Sequence, residues 1–149
     1  ERVGVIHRGK MQQVGKPADV FYRPANLFTA KFAGMKNFYP ATFDDRKAIL
    51  ENMEILLDSR PENSASHVAI RPEDVRLQKE KPKDGGGRVN VFAGRIGKIV
   101  DCGLFCEVQA AVAGATFQSL LTSNRVFSQK LRENDEVFVM FHSKDVHII

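Results

Sequence analysis

Apolar and polar residues alternate weakly over residues 2–7, the chain turns at Arg8-Gly9-Lys10, and residues 11–14 return, a pattern that predicts a β-hairpin. Gly15 and Pro17 end it. Pro17 suits the first turn of a helix, where its missing N–H would have no partner in any case. That short helix, over 18–22, must stop before Pro24, because the residue preceding a proline is sterically barred from helical geometry. Ala25, Leu27, Phe28 and Phe32 recur at helical spacing and predict a second helix over 25–33, with Gly34 at its C-terminal cap. Beyond Gly34 the helical period vanishes. Short apolar runs over 37–43, 48–50, 53–57 and 67–70 alternate with polar clusters and predict strands. Residues 78–88 mix lysines and acids with Gly85-Gly86-Gly87 and form a flexible linker. A second set of strands follows over 91–100, 104–110, 115–121, 136–141 and 146–149, with a helical turn inside 123–131. In the 104–110 run Leu104, Cys106, Val108 and Ala110 form the apolar face and Phe105, Glu107 and Gln109 the other. The fold class predicted is mainly β, small barrel modules preceded by a short α-helical segment, divided at 1–34, 35–80 and 81–149. The two β stretches have the rhythm of one repeated module, without visible identity between them.

Composition narrows the setting. A chain of 149 residues, 43% hydrophobic and 27% charged, is too apolar for wholesale disorder. No run approaches the roughly 18 apolar residues of a membrane span, and no signal-peptide pattern is visible, so a soluble cytoplasmic chain is expected. Cys102 and Cys106, four apart, would stand about 13 Å from one another along an extended strand, beyond disulfide reach. The net charge of +4 is mild and reads as a solvated surface. An OB-type binder of single-stranded nucleic acid would need a basic groove with interleaved aromatics. Phe92, Phe105, Phe117 and Phe138 instead sit in apolar runs that core packing explains, so no nucleic-acid partner is expected.

Three stretches carry a family resemblance. Gly9, Gln13, Gly15, Pro17, Pro24 and Asn26 keep the spacing found just after the switch histidine of importer-type ABC transporter ATPases, and residues 1–34 resemble that region. Val68-Ala69-Ile70-Arg71-Pro72-Glu73-Asp74-Val75 is similar to the Arg-Pro-Glu-Asp signature of the transport-associated OB-type (TOBE) domains that follow those ATPase domains. Residues 90–96 and 135–147 resemble the first and closing strands of the molybdate/tungstate-binding version of that module. The resemblance implies that 1–34 is the tail of an ATPase domain, 35–80 a first TOBE-like module and 81–149 a second, molybdate-binding-type module of OB-like fold.

The residues limit what this chain does. No Gly-x-x-x-x-Gly-Lys-Ser/Thr loop, Leu-Ser-Gly-Gly-Gln signature or Walker-B aspartate occurs, so no catalytic residue is assigned and the chain itself is not an enzyme. ATP and magnesium are expected only in the ATPase domain of a longer parent. The family's phosphate-contacting histidine lies upstream of Glu1, and His7 is not its counterpart. His7, His67, His142, His147 and the cysteines lack metal-ligand spacing, so no metal is assigned. Glu73 and Asp74 follow Pro72 and are read as a turn whose carboxylates face solvent or an N-terminal amide.

In the molybdate-binding module a tetrahedral oxyanion rests among main-chain N–H groups, hydroxyls and a cation. The resemblance places the matching elements at Arg88, Thr122, Ser143 and Lys144. Three departures stand out. The family's arginine falls at Val89 with Arg88 one place early, its Lys-Ala-Ser-Asp run is His142-Ser143-Lys144-Asp145, and its serine after the Thr122 turn falls at Arg125. Either Lys144 supplies a cation where the family has a hydroxyl, or the pocket is vestigial; the sequence leaves both open. The role implied is a regulatory region that pairs two ATP-binding subunits as a homodimer beside transmembrane permease subunits, peripheral on the inner face of the membrane, sensing a tetrahedral oxyanion. A non-sensing pairing region of an importer for a sugar, polyamine, iron or sulfate is the alternative.

Overall fold

The computed structural model describes residues 1–83 and 86–149; Asp84 and Gly85, inside the linker assigned to 78–88, lie outside the described residues. The first hairpin pairs β1 (Val3–His7) with β2 (Lys10–Gly15) around Gly9, whose φ of +75° suits a residue without Cβ. Helix α1 (Pro17–Tyr22) starts at the proline, and α2 (Leu27–Phe32) is capped by the Asn26 side chain, which accepts from the Thr29 N–H at 2.9 Å. The predicted helix over 25–33 is thus shorter at both ends. Gln13 explains its place in the family pattern: its amide donates to the Arg23 carbonyl at 3.0 Å and accepts from the Ala25 N–H at 2.7 Å, pinning the turn between the helices to β2.

Beyond Gly34 the chain is β. The strands are β3 (Asn37–Pro40), β4 (Thr42–Asp44), β5 (Lys47–Leu50), β6 (Met53–Leu56), β7 (His67–Ile70), β8 (Arg76–Gln78), β9 (Val89–Asp101), β10 (Phe105–Val112), β11 (Ala115–Thr122), β12 (Glu136–His142) and β13 (Val146–Ile148), with α3 (Ser123–Ser128) after β11. The single run expected over 37–43 is split after Pro40, which has no N–H to continue a ladder. β8 was not predicted, because it is three residues long with only Leu77 buried. The apolar alternation of β10 begins one step later than expected: Cys106, Val108, Ala110 and Val112 are buried, whereas Leu104 lies in the preceding turn, 82% exposed. Phe105 faces outward too. That turn also removes the extended-strand separation of Cys102 and Cys106; both are free thiols with separate partners, the Val100 carbonyl and the Ser123 hydroxyl.

All pairing is antiparallel, in sheets β11-β10-β9-β12-β8, β13-β7-β3 and β4-β5-β6. Strands of 35–80 and 81–149 are therefore interlocked: β8 closes the sheet of β9 to β12, and β13 joins β7 and β3. The exchange follows an internal duplication. Val68 to Leu77 and Val139 to Ile148 have the same strand, 3-10 turn and strand, with Val75 at φ −84°, ψ 115° and Val146 at φ −87°, ψ 114°. Registers agree as well: Asn37 lies opposite Ile70 as Asn90 lies opposite Phe141. One core joins the halves, with Tyr39, Ile55, Ile70 and Leu77 buried alongside Ile96, Phe117, Val139 and Phe141. The Phe117 ring lies 4.9 Å from Tyr39 and 5.6 Å from Phe141 between centroids. Among the described residues no helix is long and apolar enough to cross a membrane.

Candidate functional site

The informative end of the molecule is where β9 begins and β12 ends. Ser143, buried, donates its backbone N–H to the Arg88 carbonyl at 2.8 Å, so these two predicted residues are brought together. Lys144 follows in the turn, exposed, with no ion pair among the described residues. Arg88 points to solvent and pairs with Asp58 at 3.0 Å. Thr122 is not with them. It pairs with Phe105 beyond the far end of β9, where its hydroxyl caps α3 by accepting from the Arg125 N–H at 3.3 Å. One chain therefore does not gather all four predicted donors around one ion.

What the same end does contain is a cleft of about 430 Å³. None of the four predicted residues lines it. Its walls carry Arg76, Lys81, Lys83 and His142, the backbone of Gly86 and Gly87, and an apolar floor that includes Val91 and Met140. Among the described lining residues there is no carboxylate. Sequence reading dissolved the two lysines into a linker and did not see Arg76 at all; the signal available was their nearness to His142 once β8 pairs with β12.

On the other side of the duplication the corresponding surface is filled. A smaller cavity of about 230 Å³ is lined by Ala33, Gly34, Lys36, Arg71 and Gln118, the counterparts of Gly86, Gly87, Val89, His142 and Leu56. Arg71 donates from Nη1 to the Ala33 carbonyl at 2.8 Å and from Nη2 to the Phe21 carbonyl, and its guanidinium stands 5.5 Å from the centre of the Tyr22 ring. Both oxygens lie at C-terminal ends of helices, where the peptide dipoles leave negative charge. Lys36 is engaged with Glu107 at 2.6 Å.

Of the two turn carboxylates, Glu73 is exposed as expected, whereas Asp74 is not a solvent-facing group. Asp74 is half-buried, and burial first, then the charges of Asp145 and Glu73, push its pKa up to about 6 against the smaller pull of Arg71 and Arg76. The imidazole of His147 is pushed below its ordinary value, chiefly by burial and next by Arg71. Among the described residues no group of three His, Cys, Asp or Glu could hold a metal ion.

An antiparallel body built from two exchanged halves defines an OB-like β-barrel module. A family model described as the TOBE domain matches residues 68–149, more than half the length, and the chain belongs to that family. The molybdate/tungstate import ATP-binding protein WtpC of Pyrococcus horikoshii is 29% identical over 148 residues, covering 99% of this chain and 42% of its own length. The spermidine/putrescine import ATP-binding protein PotA of Marinobacter nauticus is 37% identical over 98 residues, covering 57% of this chain and 26% of its own length. The chain thus spans less than half the length of these relatives. Among solved structures, the cytoplasmic molybdate-binding protein ModG, with molybdate bound, gives a TM-score of 0.56 at 14% identity, over 76% of this chain and 94% of that one. At that identity the likeness establishes the fold. The expected kinship with importer ATP-binding subunits is met along the whole chain.

Proposed function

We propose that this chain is the regulatory and subunit-pairing region of an ABC importer's ATP-binding subunit, cytoplasmic and peripheral to the membrane, and that it responds to a tetrahedral oxyanion. The observation that supports the reading most directly is the bond from the Ser143 N–H to the Arg88 carbonyl, with Lys144 next in the turn, at one end of β9 in a TOBE-family fold. Thr122 belongs to the same set only if a second copy brings it, which ties oxyanion binding to homodimer formation. Lys144 carries the largest share, since a charge-assisted contact to a desolvated dianion contributes about 1.5–3 kcal/mol.

Titration calorimetry with molybdate, tungstate and sulfate tests this. Lys144→Ala should weaken molybdate and tungstate roughly tenfold to a hundredfold. Equal weak responses to all three, unchanged by the substitution, would remove sensing and leave subunit pairing. That second reading, a pairing region for an importer of another solute, is favoured by the 37% identity to a spermidine/putrescine import subunit. On either reading the isolated chain neither binds nor hydrolyses ATP, and saturable ATP binding by calorimetry would overturn that part.

A further inference from the structure

The duplication makes a comparison within one molecule. In the first half Arg71 and His147 stand at the surface where the C-terminal turns of α1 and α2 dock: Arg71 on the Phe21 and Ala33 carbonyls, His147 on the backbone of Tyr22. Beneath them Ala69 and Phe38 form the apolar floor on which Ala30 of α2 packs. Moved to the second half by the equivalent registers, these positions become His142, Arg76, Met140 and Val91. All four line the open cleft. A cation and an imidazole have exchanged places, the apolar floor is kept, and among the described residues no helix docks there. The residues before β9 supply Lys81 and Lys83 as a cationic rim instead.

We infer that this cleft is a binding site for a small organic phosphate, a phosphate monoester on an apolar body, in which the phosphate takes the place that the helix-end carbonyls hold in the first half. The rim decides against a docked helix: α2 rests on an apolar surface of Ala69 and Phe38, whereas here Arg76, Lys81, Lys83 and His142 stand around Met140 and Val91. The cleft volume of about 430 Å³ lies within the range of small-molecule sites. It is far larger than four oxygens about one centre, so a bare tetrahedral oxyanion would leave the Met140 and Val91 floor in contact with water. Charge decides for a phosphate over a neutral acceptor. Arg76, Lys81 and Lys83 bring three formal positive charges to the rim, and a monoester carries close to two negative charges at neutral pH. Arg76 is the one guanidinium among them and can bind two phosphate oxygens at once. The site is separate from the proposed oxyanion set, none of whose residues lines the cleft.

The test uses the full chain and three probes: 1-naphthyl phosphate, 1-naphthol and inorganic phosphate, titrated by calorimetry and by methyl NMR. Naphthyl phosphate should bind at least tenfold more tightly than either of the others and perturb the Met140, Val89 and Val91 methyls. Arg76→Gln should weaken it at least fivefold, and His142→Arg, which gives the cleft the cation held at Arg71 in the first half, should tighten it several-fold. Equal affinity for the three probes, perturbations confined to the exposed Leu104 and Phe127 surface, or an Arg76→Gln variant that is folded by circular dichroism and binds unchanged would each overturn the proposal. Molybdate binding by calorimetry is read separately through Lys144→Ala, so failure of one site is not failure of the other.

Discussion

Asn37 and Asn90 hold equivalent places in the two halves, and each side-chain amide grips a strand of the opposite half. Asn37 accepts from the Gln118 N–H at 2.6 Å and donates to the Gln118 carbonyl at 2.9 Å; Asn90 does the same with Leu56 at 2.7 and 3.1 Å. Gln118 and Leu56 lie on β11 and β6, the outer strands of their sheets. A primary amide offers the donor and acceptor of a peptide group, so each asparagine closes an open edge as one more strand residue would.

Removing either amide leaves one N–H and one carbonyl without partners in a part-buried place. Asn37→Ala and Asn90→Ala should each lower unfolding free energy by about 1–3 kcal/mol, read from urea midpoints. Asn→Asp should be worse than Asn→Ala at neutral pH, because a carboxylate accepts but cannot donate and its charge is buried. Equal stability of the Asp and wild-type chains would sink the clamp.

This clamp shows where sequence reading succeeds and stops. Glu136–His142 is legible as a strand because alternation reports which face is buried, and His67–Ile70 because a short continuous apolar run is bounded by polar residues. Alternation is silent about partners, so the exchange of β8 and β13 was invisible. The duplication was hidden because counterparts are not evenly spaced: Asn37 and Asn90 are 53 apart, whereas Asp74 and Asp145 are 71 apart. What remained readable was the shared Asp-Val step after each turn, at Asp74-Val75 and Asp145-Val146. At the site, Ser143 and Lys144 were named through the family resemblance, and they adjoin one turn. The cleft was not, since Arg76 joins it only through long-range pairing with Met140.

Asp74 gives a pH dependence of opposite sign to an ordinary paired carboxylate. Its folded pKa is raised to about 6, so the native state holds the proton more tightly than the unfolded chain. The associated stability is present at pH 4 and below and is lost as pH rises to 6. A shift of this size corresponds to at most roughly 3 kcal/mol, and partial exposure reduces it to about 1 kcal/mol. Asp74→Asn should therefore be more stable than wild type at pH 7.5 and equal to it near pH 4. A variant less stable at pH 7.5 would show that the carboxylate holds a favourable contact instead.

Gly94 lies where β9 passes against β10. A Cβ there would meet the Ala111 carbonyl oxygen at 2.7 Å and Val112 Cγ2 at 2.8 Å. The oxygen belongs to the backbone of a paired strand and cannot move aside alone. Gly94→Ala should cost about 3 kcal/mol with the urea slope unchanged, whereas Gly97→Ala, whose nearest neighbour would be 3.9 Å away, should be tolerated.

Arg71 attaches the helical segment to the β body, and its bonds are local to that junction. Its side chain is 11% exposed, its contact with Glu73 is long at 3.8 Å, and its Nε has no partner, so the two helix-end carbonyls are what hold it. Arg71→Ala should release α1 and α2 while leaving the strands paired: amide exchange over 17–34 should quicken at least tenfold, with β9 and β12 little changed. Arg71→Lys keeps the charge but not the fork, and should recover only part of the protection. The same variants carry a second readout at His147. Arg71 is the second cause of its depressed pKa, after burial, so the NMR titration midpoint of His147 should rise in Arg71→Ala and stay low in Arg71→Lys. Faster exchange spread evenly over the whole chain would mean that Arg71 supports global stability and is not the latch between helices and barrel.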